Sequence, residues 1–161
     1  FLNIVGGLGL VSFSWRVALA AGEAAPPPPR SPALRPGLVA LSLTVVLGAW
    51  IGATYSAAAC LSLPVCPDSG RALATGWTAF DPLSSLVAAP SPGAPEGVLP
   101  HLLHRALALA TVILLGLALF GAARRGSRAA VAVLALLALV VVLGAASVAS
   151  GLSLWLVVGH G

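Results

Sequence analysis

Four long runs of apolar residues divide the chain, and more polar links separate them. They cover Phe1–Ala21, Leu38–Ala59, His101–Ala123 and Ala129–Val158. Because a helix needs about 20 mostly apolar residues to cross roughly 30 Å of hydrocarbon, each run predicts a membrane-spanning helix. The fourth run is too long for a single span, since it would extend roughly 45 Å as a helix with a rise of about 1.5 Å per residue.

Small and polar residues interrupt the fourth run near its end. Two glycines and three serines lie between Gly144 and Ser153. Such clusters favour a turn over a continuous helix. We therefore predict a helix to about Ala149, a tight turn, and the first turns of a fifth helix from about Leu154.

The composition supports a membrane protein. Hydrophobic residues make up 59% of the 161 residues and charged residues only 7%, whereas a soluble domain carries about 25% charged residues. A soluble enzyme, a disordered chain and a coiled coil are therefore excluded. The net charge of +4 comes from scattered arginines, with no basic run longer than Arg124–Arg125, so we expect no nucleic-acid partner. The fold class predicted is an all-α polytopic transmembrane bundle, with four spans plus the start of a fifth, in a lipid bilayer.

The arginines predict how the helices are oriented. Five of the eight lie in the links Gly22–Gly37 and Arg124–Arg128, while the long link Cys60–Pro100 holds one arginine against three acidic residues. Because cytoplasmic loops carry an excess of basic residues, the two arginine-bearing links are expected to be cytoplasmic and the 60–100 loop external.

The three histidines of the chain all fall near predicted outer helix ends. His101 and His104 begin the third run, and His160 lies in the predicted fifth helix. Ionisable groups inside spans usually face a bundle interior, and imidazole is a common axial ligand of haem iron. His104 and His160 therefore predict a clamp for one planar cofactor, the alternative being interfacial histidines hydrated among lipid headgroups.

His101 and Arg105 flank the candidate ligand His104. His101 and His104 lie three residues apart on one helix face, so they cannot bind one iron from opposite sides. His101 is therefore expected to sit beside the ligand or along an access route. The Arg105 guanidinium is predicted to bind cofactor carboxylates, the alternative being that it extends to the headgroups.

Cys60 and Cys66 enclose five residues in the predicted external loop. Paired cysteines persist as disulfides in an oxidising compartment, and this spacing leaves room for the turn that a bridge needs. A zinc site would need further ligands, and a thioredoxin-like pair has a shorter spacing. We predict a disulfide, structural or slowly redox-active.

Three stretches of the sequence together resemble the haem A synthase family. LGAWIGATYSAAACLSLPVC is similar to the family's helix and cysteine loop, HLLHRALALA to its His-Arg helix start, and VVVLGAASVASGLSLWLVVGH to its Leu-Gly helix, turn and next ligand histidine. Members of this family consist of two similar four-helix halves, each of which offers two histidines to one haem.

The resemblance implies a domain organisation. Residues 1–22 resemble the last helix of the first half, 23–37 a cytoplasmic Pro-rich link, and 38–161 the second-half haem-binding four-helix bundle, with the external loop at 60–100. The chain lacks methionine and opens and closes in apolar sequence. We therefore expect a fragment cut at both ends, with a truncated last helix and no activity alone.

The resemblance also implies a chemistry. His104 and His160 match the axial ligands of the second-half haem, a b-type haem, and Cys60 and Cys66 match a loop cysteine pair. The implied reaction oxidises the methyl group of haem O to the formyl group of haem A, in a prokaryotic plasma membrane. A haem O synthase or a second copy of the chain is an implied partner, and the catalytic residues would lie in the other half.

Two other functions remain open at this stage. A quinone-linked membrane disulfide oxidoreductase would use Cys60 and Cys66 as its working pair. A non-enzymatic membrane subunit would use its helices only for packing, but it would not explain why every histidine lies at one depth.

Overall fold

The computed structural model describes residues 2–21, 31–67, 69–81 and 95–161, and these residues form helices and connecting turns without a β-strand. The helices are α1 (Leu2–Ala21), α2 (Leu34–Ala53), α3 (Ser69–Thr75), α4 (Pro95–Arg124), α5 (Arg128–Ala149) and α6 (Leu154–His160). Two 3₁₀ turns, Ser56–Ala59 and Gly76–Phe80, lie between α2 and α4. Residues 23–30 of the predicted Pro-rich link 23–37, and residues 82–94 of the predicted external loop 60–100, lie outside the described residues.

Three of these helices are long and apolar enough to cross a membrane. They are α2, α4 from Glu96 onwards, and α5. The predicted fold class, an all-α membrane bundle, is confirmed. The fifth helix is also confirmed, since α5 ends at Ala149 and α6 begins at Leu154. The chain turns between them at Gly151, whose φ of 67° is a backbone conformation that favours glycine.

The predicted bounds of the second span are wrong. It was expected to cover Leu38–Ala59, but α2 begins four residues earlier and ends at Ala53. Tyr55 then adopts a left-handed conformation with φ 54°, and a 3₁₀ turn follows. The alanines of that turn are apolar, so hydropathy could not separate them from the helix.

The predicted start of the third span is also wrong. Helix α4 begins at Pro95 instead of His101 and carries Pro100 within it. Proline is well suited to the first helical position, where its missing N–H costs no hydrogen bond. At 3.6 residues per turn, His101 and His104 therefore lie about 1.5 to 2.5 turns inside the helix instead of at its end.

Helix α4 is the centre of the packing, with α2 on one side and α5 on another. The backbones of α2 and α4 approach closely at Gly37, where a Cβ atom would lie 2.7 Å from Leu115 Cδ2. Further along the same pair of helices, the hydroxyls of Thr44 and Thr111 lie 3.2 Å apart. Small residues and interhelical hydroxyl contacts are the usual means of helix association in membranes.

The described part of the 54–81 segment packs onto the first turns of α4. Its core consists of Ala59, Cys60, Cys66 and Ala72 against Val98. Trp50 connects α2 to the second 3₁₀ turn, because its indole N–H donates a hydrogen bond to the Ala79 carbonyl at 3.0 Å. This segment therefore covers the end of α4 that carries the histidines.

Gly97 permits the closest approach between this segment and α4. A Cβ atom at Gly97 would overlap with Ala59 Cβ. We expect Gly97→Ala to lower the free energy of unfolding by about 1–3 kcal/mol, the usual cost of overpacking. Gly70→Ala in α3 is the matched control, since a Cβ atom there would meet nothing within 4 Å and both sites gain similarly in helix propensity. Thermal unfolding in detergent measures both, and equal melting temperatures would contradict the expectation.

Candidate functional site: a pair of facing histidines

His104 of α4 and His160 of α6 lie next to each other, although 56 residues separate them in sequence. Their ring centroids are 6.2 Å apart, and their ring planes cross at 88°. Both side chains are partly buried. The structure therefore brings together the two histidines that the sequence suggested as a pair.

A backbone carbonyl of a neighbouring helix orients each ring. His104 Nδ1 lies 3.1 Å from the Thr44 carbonyl oxygen of α2. His160 Nδ1 lies 2.9 Å from the Val140 carbonyl oxygen of α5. Since a carbonyl can only accept, each Nδ1 must carry the proton, which leaves the Nε2 lone pair available to a metal. Metal-bound histidines are held in this way by a hydrogen bond from the other ring nitrogen.

The distance between the two rings fits a shared metal ion. Metal–imidazole bonds are about 2 Å long, as in zinc sites, so two imidazoles on opposite sides of one ion have ring centres about 6 Å apart. In the described part of the chain, no group of three or more His, Cys, Asp or Glu side chains could hold a metal ion. A pair of imidazoles is the ligand set for a haem, whose porphyrin supplies the remaining ligands.

His101 contacts the loop segment. It is 7% exposed, and its Nε2 lies 3.0 Å from the Ser56 carbonyl oxygen in the first 3₁₀ turn. The Ser56 hydroxyl in turn lies 2.7 Å from that of Thr54. These contacts tie the end of α2 to α4, beside the helix turn that carries His104.

The predicted disulfide is present, and Arg105 lies against its loop. Cys60 and Cys66 are bonded, with Cα atoms 5.4 Å apart. Arg105 Nη1 donates to the carbonyls of Ser62 at 2.8 Å and Pro64 at 3.1 Å, and Nη2 donates to that of Cys60 at 3.3 Å. The guanidinium next to His104 therefore holds the disulfide loop.

The acceptors of these bonds could not be identified from the sequence. They are the backbone carbonyls of Thr44, Val140 and Ser56, and of the disulfide loop. A carbonyl has the same chemistry in every residue, so only its position in the fold selects it. One signal was nevertheless available, because the pentapeptide VVLGA directly follows both Thr44 and Val140.

A comparison with known protein families matches almost the whole chain. A family model described as cytochrome oxidase assembly protein covers residues 4–161, a range that includes both facing histidines, Arg105 and the cysteine pair. No curated protein and no solved structure gives a significant match. The resemblance stated from the sequence is confirmed: this chain belongs to the COX15-CtaA family of cytochrome oxidase assembly proteins, the haem A synthase family.

Proposed function

We propose that this chain carries the haem b site of a membrane oxidoreductase that converts haem O to haem A. His104 and His160 are the proposed axial ligands. The observation that carries the proposal is the 6.2 Å separation of their ring centres. Each ring also donates a hydrogen bond from Nδ1 to a carbonyl of another helix. When bound, haem b would supply one-electron redox chemistry, whose potential depends on its ligands and their surroundings.

We propose that His101, Arg105 and the cysteine bridge hold the structure around the two ligands. His101 holds the first 3₁₀ turn against α4 through the Ser56 carbonyl. Arg105 holds the disulfide loop beside the ligand helix, and its remaining N–H groups are proposed to bind a haem carboxylate. The Cys60–Cys66 bridge keeps the loop in the shape that Arg105 contacts.

The overall reaction proposed is oxidation of the haem O methyl group to a formyl group through successive hydroxylations. We propose that this chemistry takes place in the other half of the enzyme, as the family resemblance implies, so the site at His104 and His160 would serve electron transfer or structure. Residues 38–161 are the proposed second-half bundle. We place the 60–100 loop outside a prokaryotic plasma membrane, and we propose a haem O synthase or a second copy of the chain as a partner.

The structure favours this proposal over a disulfide oxidoreductase. Cys60 is 1% exposed and Cys66 is 4% exposed, while thiol–disulfide exchange requires a thiolate to reach a sulfur atom. Arg105 Nη1 also lies 3.8 Å from Cys66 Sγ. A purely structural subunit, in turn, would have no need to hold two imidazoles 6.2 Å apart with each Nδ1 hydrogen-bonded to a neighbouring helix.

Spectroscopy of the haem-loaded chain tests the proposal. We expect the chain, purified in detergent, to bind equimolar haem b and to give the absorbance of a low-spin haem in both oxidation states. Because the ring planes cross at 88°, the ferric EPR signal should be the strongly anisotropic one of perpendicular axial imidazoles. Haem in the same detergent without protein is the control. A high-spin spectrum, or binding no better than in that control, would refute the assignment.

A further inference from the structure

The same structural motif contacts each of the two facing histidines, once in α2 and once in α5. The pentapeptide VVLGA occurs at Val45–Ala49 in α2 and at Val141–Ala145 in α5. In each case the residue just before it supplies the carbonyl that accepts the histidine Nδ1 proton, namely Thr44 for His104 and Val140 for His160. Each histidine comes from another helix, α4 in one case and α6 in the other.

The glycine of each pentapeptide lies directly beneath the ring. A Cβ atom on Gly48 would lie 3.2 Å from Cε1 and 3.6 Å from Nδ1 of His104. A Cβ atom on Gly144 would lie 2.6 Å from Cε1 and 2.9 Å from Nδ1 of His160. The space that a methyl group would fill is therefore occupied by imidazole at both sites, more tightly at Gly144.

Helix geometry explains why glycine stands four residues after the accepting carbonyl. Side chains on a helix lean towards its N-terminus, so a residue covers the turn that precedes it. A side chain at position 48 or 144 would screen the carbonyl at 44 or 140. One lone pair of that oxygen accepts the hydrogen bond of the helix backbone. The other is accessible to an imidazole N–H only where no side chain covers it. Glycine within a helix lowers stability compared with alanine, so its presence at both equivalent positions needs a structural explanation.

We propose that Gly48 and Gly144 are positioning residues for haem ligation. Each lets an imidazole lie against the helix backbone and donate its Nδ1 proton to the carbonyl four residues earlier. The Thr44–Gly48 and Val140–Gly144 pairs thereby hold Nε2 unprotonated and set how strongly each ring donates electrons to iron. The inference rests on the proposed haem site, but its effect on the histidine tautomers does not require bound haem.

The variants Gly48→Ala and Gly144→Ala test the inference. Gly52→Ala in α2 and Gly116→Ala in α4 are matched controls, since a Cβ atom at either site would meet nothing within 4 Å. The first measurement is ¹⁵N NMR of the histidines without haem. We expect Nδ1-protonated rings for His104 and His160 in the parent chain and both controls. Gly144→Ala should shift His160 towards the Nε2-protonated tautomer. His104 should remain Nδ1-protonated in this variant, which would also show that the variant is folded.

The second measurement is haem binding. Loss of a partner that orients a metal ligand typically weakens metal binding by about 10–100-fold. We expect Gly144→Ala to weaken haem affinity by roughly 10-fold or more, with a smaller loss for Gly48→Ala. The midpoint potential should rise, because a less basic imidazole stabilises ferric iron less.

The outcomes separate this inference from the proposed function. If the parent chain binds haem and the Gly48 and Gly144 variants behave like Gly52→Ala in tautomer, affinity and potential, the positioning role is wrong and the haem site stands. If the parent chain binds no haem, the proposed function fails. The NMR result then decides alone whether the glycines set the tautomers.

Discussion

His104→Ala and His160→Ala should each abolish the low-spin haem spectrum. Either change removes one of two imidazoles whose rings lie 6.2 Å apart, and no other histidine takes the vacated place, because His101 Nε2 is engaged by the Ser56 carbonyl. We expect haem affinity to fall by more than the roughly 10–100-fold that loss of an orienting partner costs. Haem content and the ferric EPR signal of the purified variants measure the effect.

His101→Gln is the matched control for these two variants. Its amide N–H can still donate to the Ser56 carbonyl, so the loop should remain attached to α4. Haem content and the low-spin spectrum should then stay close to those of the parent chain. Full haem content in His104→Ala or His160→Ala, or loss of haem in His101→Gln alone, would show that the ligands are assigned wrongly.

Arg105→Met should loosen the disulfide loop. The change removes a charged donor from the carbonyls of Cys60, Ser62 and Pro64. A hydrogen bond to a charged group contributes about 1.5–3 kcal/mol, and because Arg105 is partly exposed we expect the low end, about 1.5 kcal/mol of lost stability. Dithiothreitol should also reduce the Cys60–Cys66 bridge faster. The melting temperature and the reduction rate measure the two effects.

Arg71→Met controls for the loss of one arginine from the same region. Arg71 lies on α3, and its side chain is exposed, so substitution there should change stability by no more than about 0.5 kcal/mol. An Arg105→Met variant with the melting temperature and reduction rate of Arg71→Met would mean that the guanidinium does not hold the loop.

The sequence predicted the helices well but only some of their ends. It placed the end of α5 at Ala149 and the start of α6 at Leu154, because glycine and serine have strong local preferences for turns. It missed the start of α4, because the prolines at 95 and 100 look like loop residues although the first suits the opening of a helix. It also extended α2 through alanines that belong to a 3₁₀ turn.

For the candidate site, too, the sequence predicted some features and missed others. His104, His160 and the cysteine pair could be identified from the sequence, since each is a rare residue type in an apolar chain with few alternatives. The sequence could not decide whether Arg105 reaches a cofactor or the headgroups. The structure shows its guanidinium on the carbonyls of the disulfide loop, which have no distinguishing residue type.

By itself, the sequence determined that the chain is a helical membrane protein and which residue types are available for chemistry, because hydropathy and side-chain chemistry are properties of each residue and its near neighbours. Only the tertiary structure decided which groups meet. His104 lies beside His160 because α5 packs on α4 and α6 packs on α5, and at each histidine a glycine leaves a carbonyl open to the ring. Backbone acceptors and distances between helices depend on packing over long separations in the chain. A local pattern such as VVLGA can therefore mark an accessible carbonyl, but it does not show which side chain meets that carbonyl.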